Sequence, residues 1–157
     1  MEESGKKCHE MGNMLIGEFN HNLDAKGRLT IPSKFREDLG ETFMITKGLD
    51  GCLIGYNMEE WEKFSEKINA LPSGKPEARA MSRFFFSGAA DVELDKQGRI
   101  LIPPSLRAHA NLTKEVYITG ASSRIEIWDA EKWLEASNPT EKSIEDIAAE
   151  FGEMGLF

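Results

Sequence analysis

The sequence predicts an α+β fold, mainly β, built from two tandem repeats with flanking helices, and three observations carry that expectation. The stretch Leu23-Asp24-Ala25-Lys26-Gly27-Arg28-Leu29-Thr30-Ile31-Pro32-Ser33-Lys34-Phe35-Arg36 returns 71 residues later as Leu94-Asp95-Lys96-Gln97-Gly98-Arg99-Ile100-Leu101-Ile102-Pro103-Pro104-Ser105-Leu106-Arg107, with seven of fourteen positions identical. The shared residues are turn formers and an ion-pair combination as well as apolar ones, the mark of a duplicated structural unit. The likeness then runs on: Phe43-Met44-Ile45-Thr46 answers Val116-Tyr117-Ile118-Thr119, Ile54 answers Ile127, Trp61 answers Trp133, and Gly17 answers Gly88. Finally, a copy of about 45 residues is too short to bury an adequate core alone, so the two copies should share one.

Element by element, Gly17 to Leu23 reads as a strand, Asp24 to Gly27 as a tight turn, and Arg28 to Ile31 as the return strand. Asp accepts from backbone amides two residues on, and Gly takes the positive φ such a turn needs. The expected product is a local β-hairpin. Pro32 opens a short helix to about Leu39, because its missing N–H is no loss in a first turn. Two strands follow, Phe43 to Thr46 and Cys52 to Tyr56, split by the Gly48-Leu49-Asp50-Gly51 turn. Trp61, Phe64, Ile68 and Leu71 then mark an amphipathic helix. Pro72-Ser73-Gly74-Lys75-Pro76 breaks it, and a second helix spans about Glu77 to Phe86.

The second copy repeats the order, with its turn at Asp95 to Gly98, its helix from Pro104, and a last helix containing Trp133 and Leu134. After Asn138-Pro139, Ile144, Ile147, Ala148 and Phe151 form one apolar face. Ser143 and Asp146 suggest a capping box, with Thr140 as another start. The stripe is read as packing against its own subunit, with a neighbouring copy as the alternative. The expected division is a flexible N-terminal extension over 1–16, a first repeat over 17–61, a helical linker over 62–87, a second repeat over 88–133 and a C-terminal helix over 134–157. Met11 and Met14 each offer a translation start just before the first repeat.

Composition narrows the function. The 157 residues carry a net charge of −8, but unevenly. Residues 130–157 hold a net −5, whereas 24–36 hold +3 and 95–107 hold +2. Screening confines exposed charges to about 8–10 Å, so a basic patch acts locally whatever the total. Neither a membrane-length apolar run nor a signal-peptide pattern occurs, and a cytoplasmic address is expected. Cys8 and Cys52 read as a free thiol and a small buried residue rather than a disulfide. Cys8-His9 lacks the spaced partners a zinc site needs.

Asp24 and Arg28, like Asp95 and Arg99, flank a turn and should meet across its neck. One reading is a capped turn with an exposed ion pair. The other is that Asp fixes the guanidinium, a planar fork suited to phosphate and to guanine. The duplication, with Lys26, Lys34, Lys96 and Arg107 nearby, favours the second, since a two-stranded element bearing fixed arginines suits a major groove.

The two LD-x-x-GR-x-x-IP units, the Trp closing each copy and the phrase Leu112-Thr113-Lys114-Glu115-Val116 together resemble the MraZ family, over about residues 17–135. That resemblance implies a pseudo-twofold β-barrel of two SpoVT/AbrB-like, swapped-hairpin (double-split) modules. It also implies a transcriptional regulator that binds short direct repeats in double-stranded promoter DNA, upstream of the division and cell-wall gene cluster. A homo-oligomeric ring in the cytoplasm, at the nucleoid, is part of the same implication. Arg28 and Arg99 would contact DNA, Asp24 and Asp95 would orient them, and Lys26 and Lys34 would add to the interface. Gln97 stands where the first copy has Lys26, so the two loops are expected to contribute unequally.

Enzymatic function is not expected. Each Asp has an Arg beside it that keeps it ionised, a poor state for a general acid at neutral pH. His9, His21 and His109 fall at unrelated places without a nucleophile, and no phosphate-binding or dinucleotide glycine pattern occurs. No catalytic residue, cofactor, metal, membrane or small-molecule substrate is therefore expected. The alternative function is an AbrB-like antitoxin or a structural interaction protein.

Overall fold

A computed structural model describes residues 14–138 and 141–156. Its β-strands, all paired antiparallel, are β1 (Glu18–Asn22), β2 (Arg28–Thr30), β3 (Thr42–Lys47), β4 (Leu53–Tyr56), β5 (Ala90–Glu93), β6 (Arg99–Leu101), β7 (Glu115–Gly120) and β8 (Ile125–Asp129). The helices are α1 (Ser33–Leu39), α2 (Met58–Asn69), α3 (Pro76–Ser87), α4 (Pro104–His109), α5 (Ala130–Ser137) and α6 (Ile144–Glu153).

The strands form two sheets, a six-stranded one in the order β1-β7-β8-β4-β3-β5 and a two-stranded ribbon β2-β6, and they do not close into one barrel. The six-stranded order is the same under exchange of the copies, with β4 and β8 at the centre. The expected local hairpin is corrected here. The turn closes, with Asp24 N–H donating to Arg28 O at 3.0 Å and Gly27 N–H to Asp24 O at 3.0 Å. Its two strands then part: β1 pairs with β7, and β2 pairs with β6, so every strand around the loop finds its partner in the other copy. The reason is burial. A three-residue strand cannot shield its own apolar residue, whereas pairing across copies sets Leu29 opposite Ile100 with both nearly sealed from water.

One core is therefore common to both copies. Phe35 and Leu39 of α1 and Phe43 and Ile45 of β3 meet Leu106, Val116, Ile118 and Ile127 of the second copy in a single cluster. Full burial of such a side chain is worth about 1.5–3 kcal/mol relative to exposure. The central strands are covered on both faces, since side chains alternate along a strand. Thus Leu53 and Ile127 face the common core, while Ile54, Tyr56 and Trp128 face a second cluster under α2 and α3. There Tyr56 stacks on Phe64 at 5.0 Å, and Phe64 meets Phe85 edge-on at 5.0 Å. The buried Thr46 hydroxyl donates to Phe85 O at 2.6 Å and ties α3 to β3.

Helix ends follow the sequence. Pro32 and Pro103 stand at the N-caps of α1 and α4. Asn57 caps α2 by accepting from Glu60 N–H, and Ser143 caps α6 by accepting from Asp146 N–H at 3.1 Å. Two expectations need correction. Leu71 lies beyond the end of α2, which stops at Asn69. The α6 stripe is not sealed against its own chain: Ile144 is 64% and Phe151 47% exposed, with only Ile147 and Ala148 partly covered. The expected flexible extension over 1–16 falls mostly outside the described residues. Leu15, at its end, is buried and exchanges two backbone hydrogen bonds with Ser122.

The loop glycines hold the exchange together. Gly27 has φ 86° and Gly98 φ 76°, and a Cβ on Gly27 would sit 2.6 Å from Nη1 of Arg107. We expect Gly27→Ala and Gly98→Ala each to cost on the order of 1–3 kcal/mol through backbone strain and a displaced guanidinium. Thermal melts should fall by several degrees, while Gly74→Ala, where an added Cβ meets nothing within 4 Å, should melt like the parent.

Candidate nucleic-acid interface

Each Asp-x-x-x-Arg loop is a small hydrogen-bonded arm. In the first copy, Asp24 Oδ1 accepts from the backbone N–H of Lys26 at 3.0 Å and of Arg28 at 2.8 Å, while Oδ2 accepts from Arg28 Nε at 2.7 Å. The second copy repeats this: Asp95 Oδ1 takes Gln97 N–H at 2.8 Å and Arg99 N–H at 2.9 Å, and Oδ2 takes Arg99 Nε at 2.9 Å. One carboxylate thus fixes both the turn and the guanidinium. Because the contact uses Nε, the Nη groups of Arg28 and Arg99 are left without a hydrogen-bond partner among the described residues.

The Arg28 amide, with smaller help from its guanidinium, holds the Asp24 carboxyl below its ordinary value of 3.8. The Arg99 amide does the same for Asp95. Both stay charged at neutral pH, which suits orientation of a cation and not proton donation.

The ribbon brings the two arms together. In its register Arg28 is opposite Leu101, Leu29 opposite Ile100, and Thr30 opposite Arg99. Leu29 and Ile100 point inward, and side chains alternate along a strand, so Arg28, Thr30, Arg99 and Leu101 share the outward face. Arg28 and Arg99 are diagonal neighbours there, roughly 7–8 Å apart by the geometry of an antiparallel pair. Lys26 and Lys96 are exposed in the two turns, and Lys34 is exposed in the first turn of α1.

The two arginines that close the repeated stretch, Arg36 and Arg107, lie against the loops of the opposite copy. Arg36 Nε donates to Ile31 O at 2.7 Å, and its guanidinium lies directly against Gly98 of the other copy. Arg107 lies against Gly27, but its buried Nε has no hydrogen-bond partner among the described residues. In addition, Ile31 N–H donates to Gly98 O and Ile102 N–H to Gly27 O, each at 2.9 Å. Each arm therefore rests on the other copy. The only sequence signal for this was that Arg36 and Arg107 are among the seven identities.

Other reactive groups are occupied elsewhere. His109 Nε2 is 3.1 Å from Gly48 O, and its ring meets Phe84 edge-on. Cys52 is a free, buried thiol pushed up to about 12 by burial and, secondarily, by Glu126. Cys8 and His9 lie outside the described residues. Among the described residues no group of three or more His, Cys, Asp or Glu is placed to hold a metal, and no helix is long and apolar enough to cross a membrane.

Comparison with known proteins gives two findings. A family model described as "MraZ protein, putative antitoxin-like" matches residues 14–84 and again 85–151. A relative from Caldicellulosiruptor saccharolyticus, named Transcriptional regulator MraZ, is 54% identical over 143 residues, which is 91% of this chain and the whole of that protein.

Two tests follow from the site's chemistry. A carboxyl with a depressed pKa stabilises the fold above its unfolded value, and the contribution is lost as pH falls through the folded one. The melting difference between the parent and Asp24→Asn/Asp95→Asn should therefore be flat from about pH 8 to pH 5 and shrink only as pH falls below the ordinary carboxyl value of 3.8. A midpoint near neutrality would contradict the geometry. At about pH 8, Cys52 should resist a thiol reagent until the chain is unfolded, because the thiolate is the reacting form.

Proposed function

Because the chain belongs to the MraZ family, we propose that it is a transcriptional regulator that binds double-stranded DNA sequence-specifically, with the β2-β6 ribbon lying in the major groove. The main support is the meeting of two Asp-held arginines on one outward ribbon face, with their Nη groups free among the described residues. A two-stranded ribbon is of a size the groove admits, and an oriented guanidinium matches guanine O6 and N7 or a phosphate. In this reading Arg28 and Arg99 touch the duplex, Asp24 and Asp95 aim them, and Lys26 and Lys34 add phosphate contacts. The name of the 54% identical relative agrees with this role.

The proposed target is a set of short direct repeats upstream of the division and cell-wall gene cluster, so the protein acts at the nucleoid in the cytoplasm. A homo-oligomeric ring would offer many ribbons to one promoter. Basic patches of +3 and +2 are weak alone, but linked sites gain through effective concentration. The exchange of strands between copies supports reading the pair as one swapped-hairpin unit. A second reading, as an AbrB-like antitoxin, is favoured by the family description alone, and stable co-purification with a small partner protein would support it.

Arg28→Ala should abolish the gel shift of the chain's own upstream DNA while leaving oligomer size by light scattering unchanged. Arg99→Ala should weaken the shift less. Binding should also fall steeply with salt, as counterions are released from contacted phosphates. An Arg28→Ala protein that binds like the parent would defeat the assignment.

A further inference from the structure

The outward ribbon face holds one apolar residue. Leu101 is 59% exposed, although the apolar residues beside it in the ribbon are sealed: Leu29 at 0%, Ile100 at 1% and Ile102 at 0%. It stands directly across from Arg28, in a face otherwise made of Arg28, Arg99 and Thr30. Directly opposed residues of an antiparallel pair have their Cβ atoms about 4.5–5.5 Å apart. Whatever Arg28 touches, the Leu101 side chain therefore meets the neighbouring one or two base steps, each about 3.4 Å along a strand.

The ribbon's surroundings are basic, with Lys26 and Lys96 exposed in the flanking turns, which fits a polyanion and not an apolar protein surface. The major groove offers one apolar feature, the 5-methyl of thymine. We propose that Leu101 is a specificity-determining residue that packs on a thymine methyl within two base steps of the position contacted by Arg28. The inference rests on the DNA-binding reading above and adds to it a base identity. It also gives the ribbon a direction. The equivalent position in the first copy is Thr30, which faces Arg99, so the two halves of the face read different edges and the site they prefer is not a palindrome.

The test uses the full chain and the shortest duplex from its own upstream DNA that the parent protein shifts, remade with each thymine singly replaced by deoxyuridine, which removes only the methyl. The parent should lose about fourfold in affinity at one position or at two adjacent ones, the value of one buried methyl-sized group. Leu101→Ser should bind the unmodified duplex about fourfold more weakly and show no deoxyuridine effect at those positions, whereas Leu101→Val should keep it. Leu101 is exposed, so both variants should match the parent in melting temperature and oligomer size. Coincident deoxyuridine profiles for the parent and Leu101→Ser would overturn the inference while leaving DNA binding intact. A parent protein that shifts no upstream duplex would overturn both.

Discussion

The pairing of Leu29 with Ile100 at the middle of the β2-β6 ribbon is the constraint on which the remaining architecture depends. Each strand is three residues long and has one inward apolar side chain, too little to support a hairpin within either copy. Joined across the copies, the two residues reach the common core with Phe35, Leu106 and their neighbours. That single choice of partner sends β1 to β7 and β5 to β3. It leaves the outward side of the ribbon to Arg28 and Arg99, and it puts each loop glycine against an arginine of the opposite copy.

The electrostatics are as local as the packing. A chain with a net −8 is a poor candidate for a polyanion partner by its total, and the acidic share gathers at the C-terminal end. The arms escape that average because each carboxylate among them is spent on its own arginine. Asp24 and Asp95 compensate only the Nε side of each guanidinium, and the Nη side keeps its donors. Their depressed pKa values keep this division of labour constant across the range in which a cell operates.

Much of this was legible in the residues. The Asp and Gly of each loop specified the turn, Pro32 and Pro104 the helix starts, Ser143 the cap of α6, and the repeat itself the common core. Lys26 and Lys34 are exposed, and Arg28 and Arg99 are half-buried. What could not be read was pairing: a turn fixes the direction of the chain at its neck, but the partner of a strand is decided by which apolar face it can cover, a property of the whole molecule. The places of Arg36 and Arg107 could not be read for the same reason, since their glycine partners lie in the other copy. The exposure of Leu101 depends on the ribbon register, which the repeat alone does not set.

Both strands of the ribbon belong to one polypeptide, joined through α2 and α3. Their meeting is therefore a first-order event, independent of how dilute the protein is, unlike a ribbon contributed by two separate molecules, which would come apart as concentration falls. Any higher assembly then adds finished ribbons to one another, and each is complete before the first neighbour arrives.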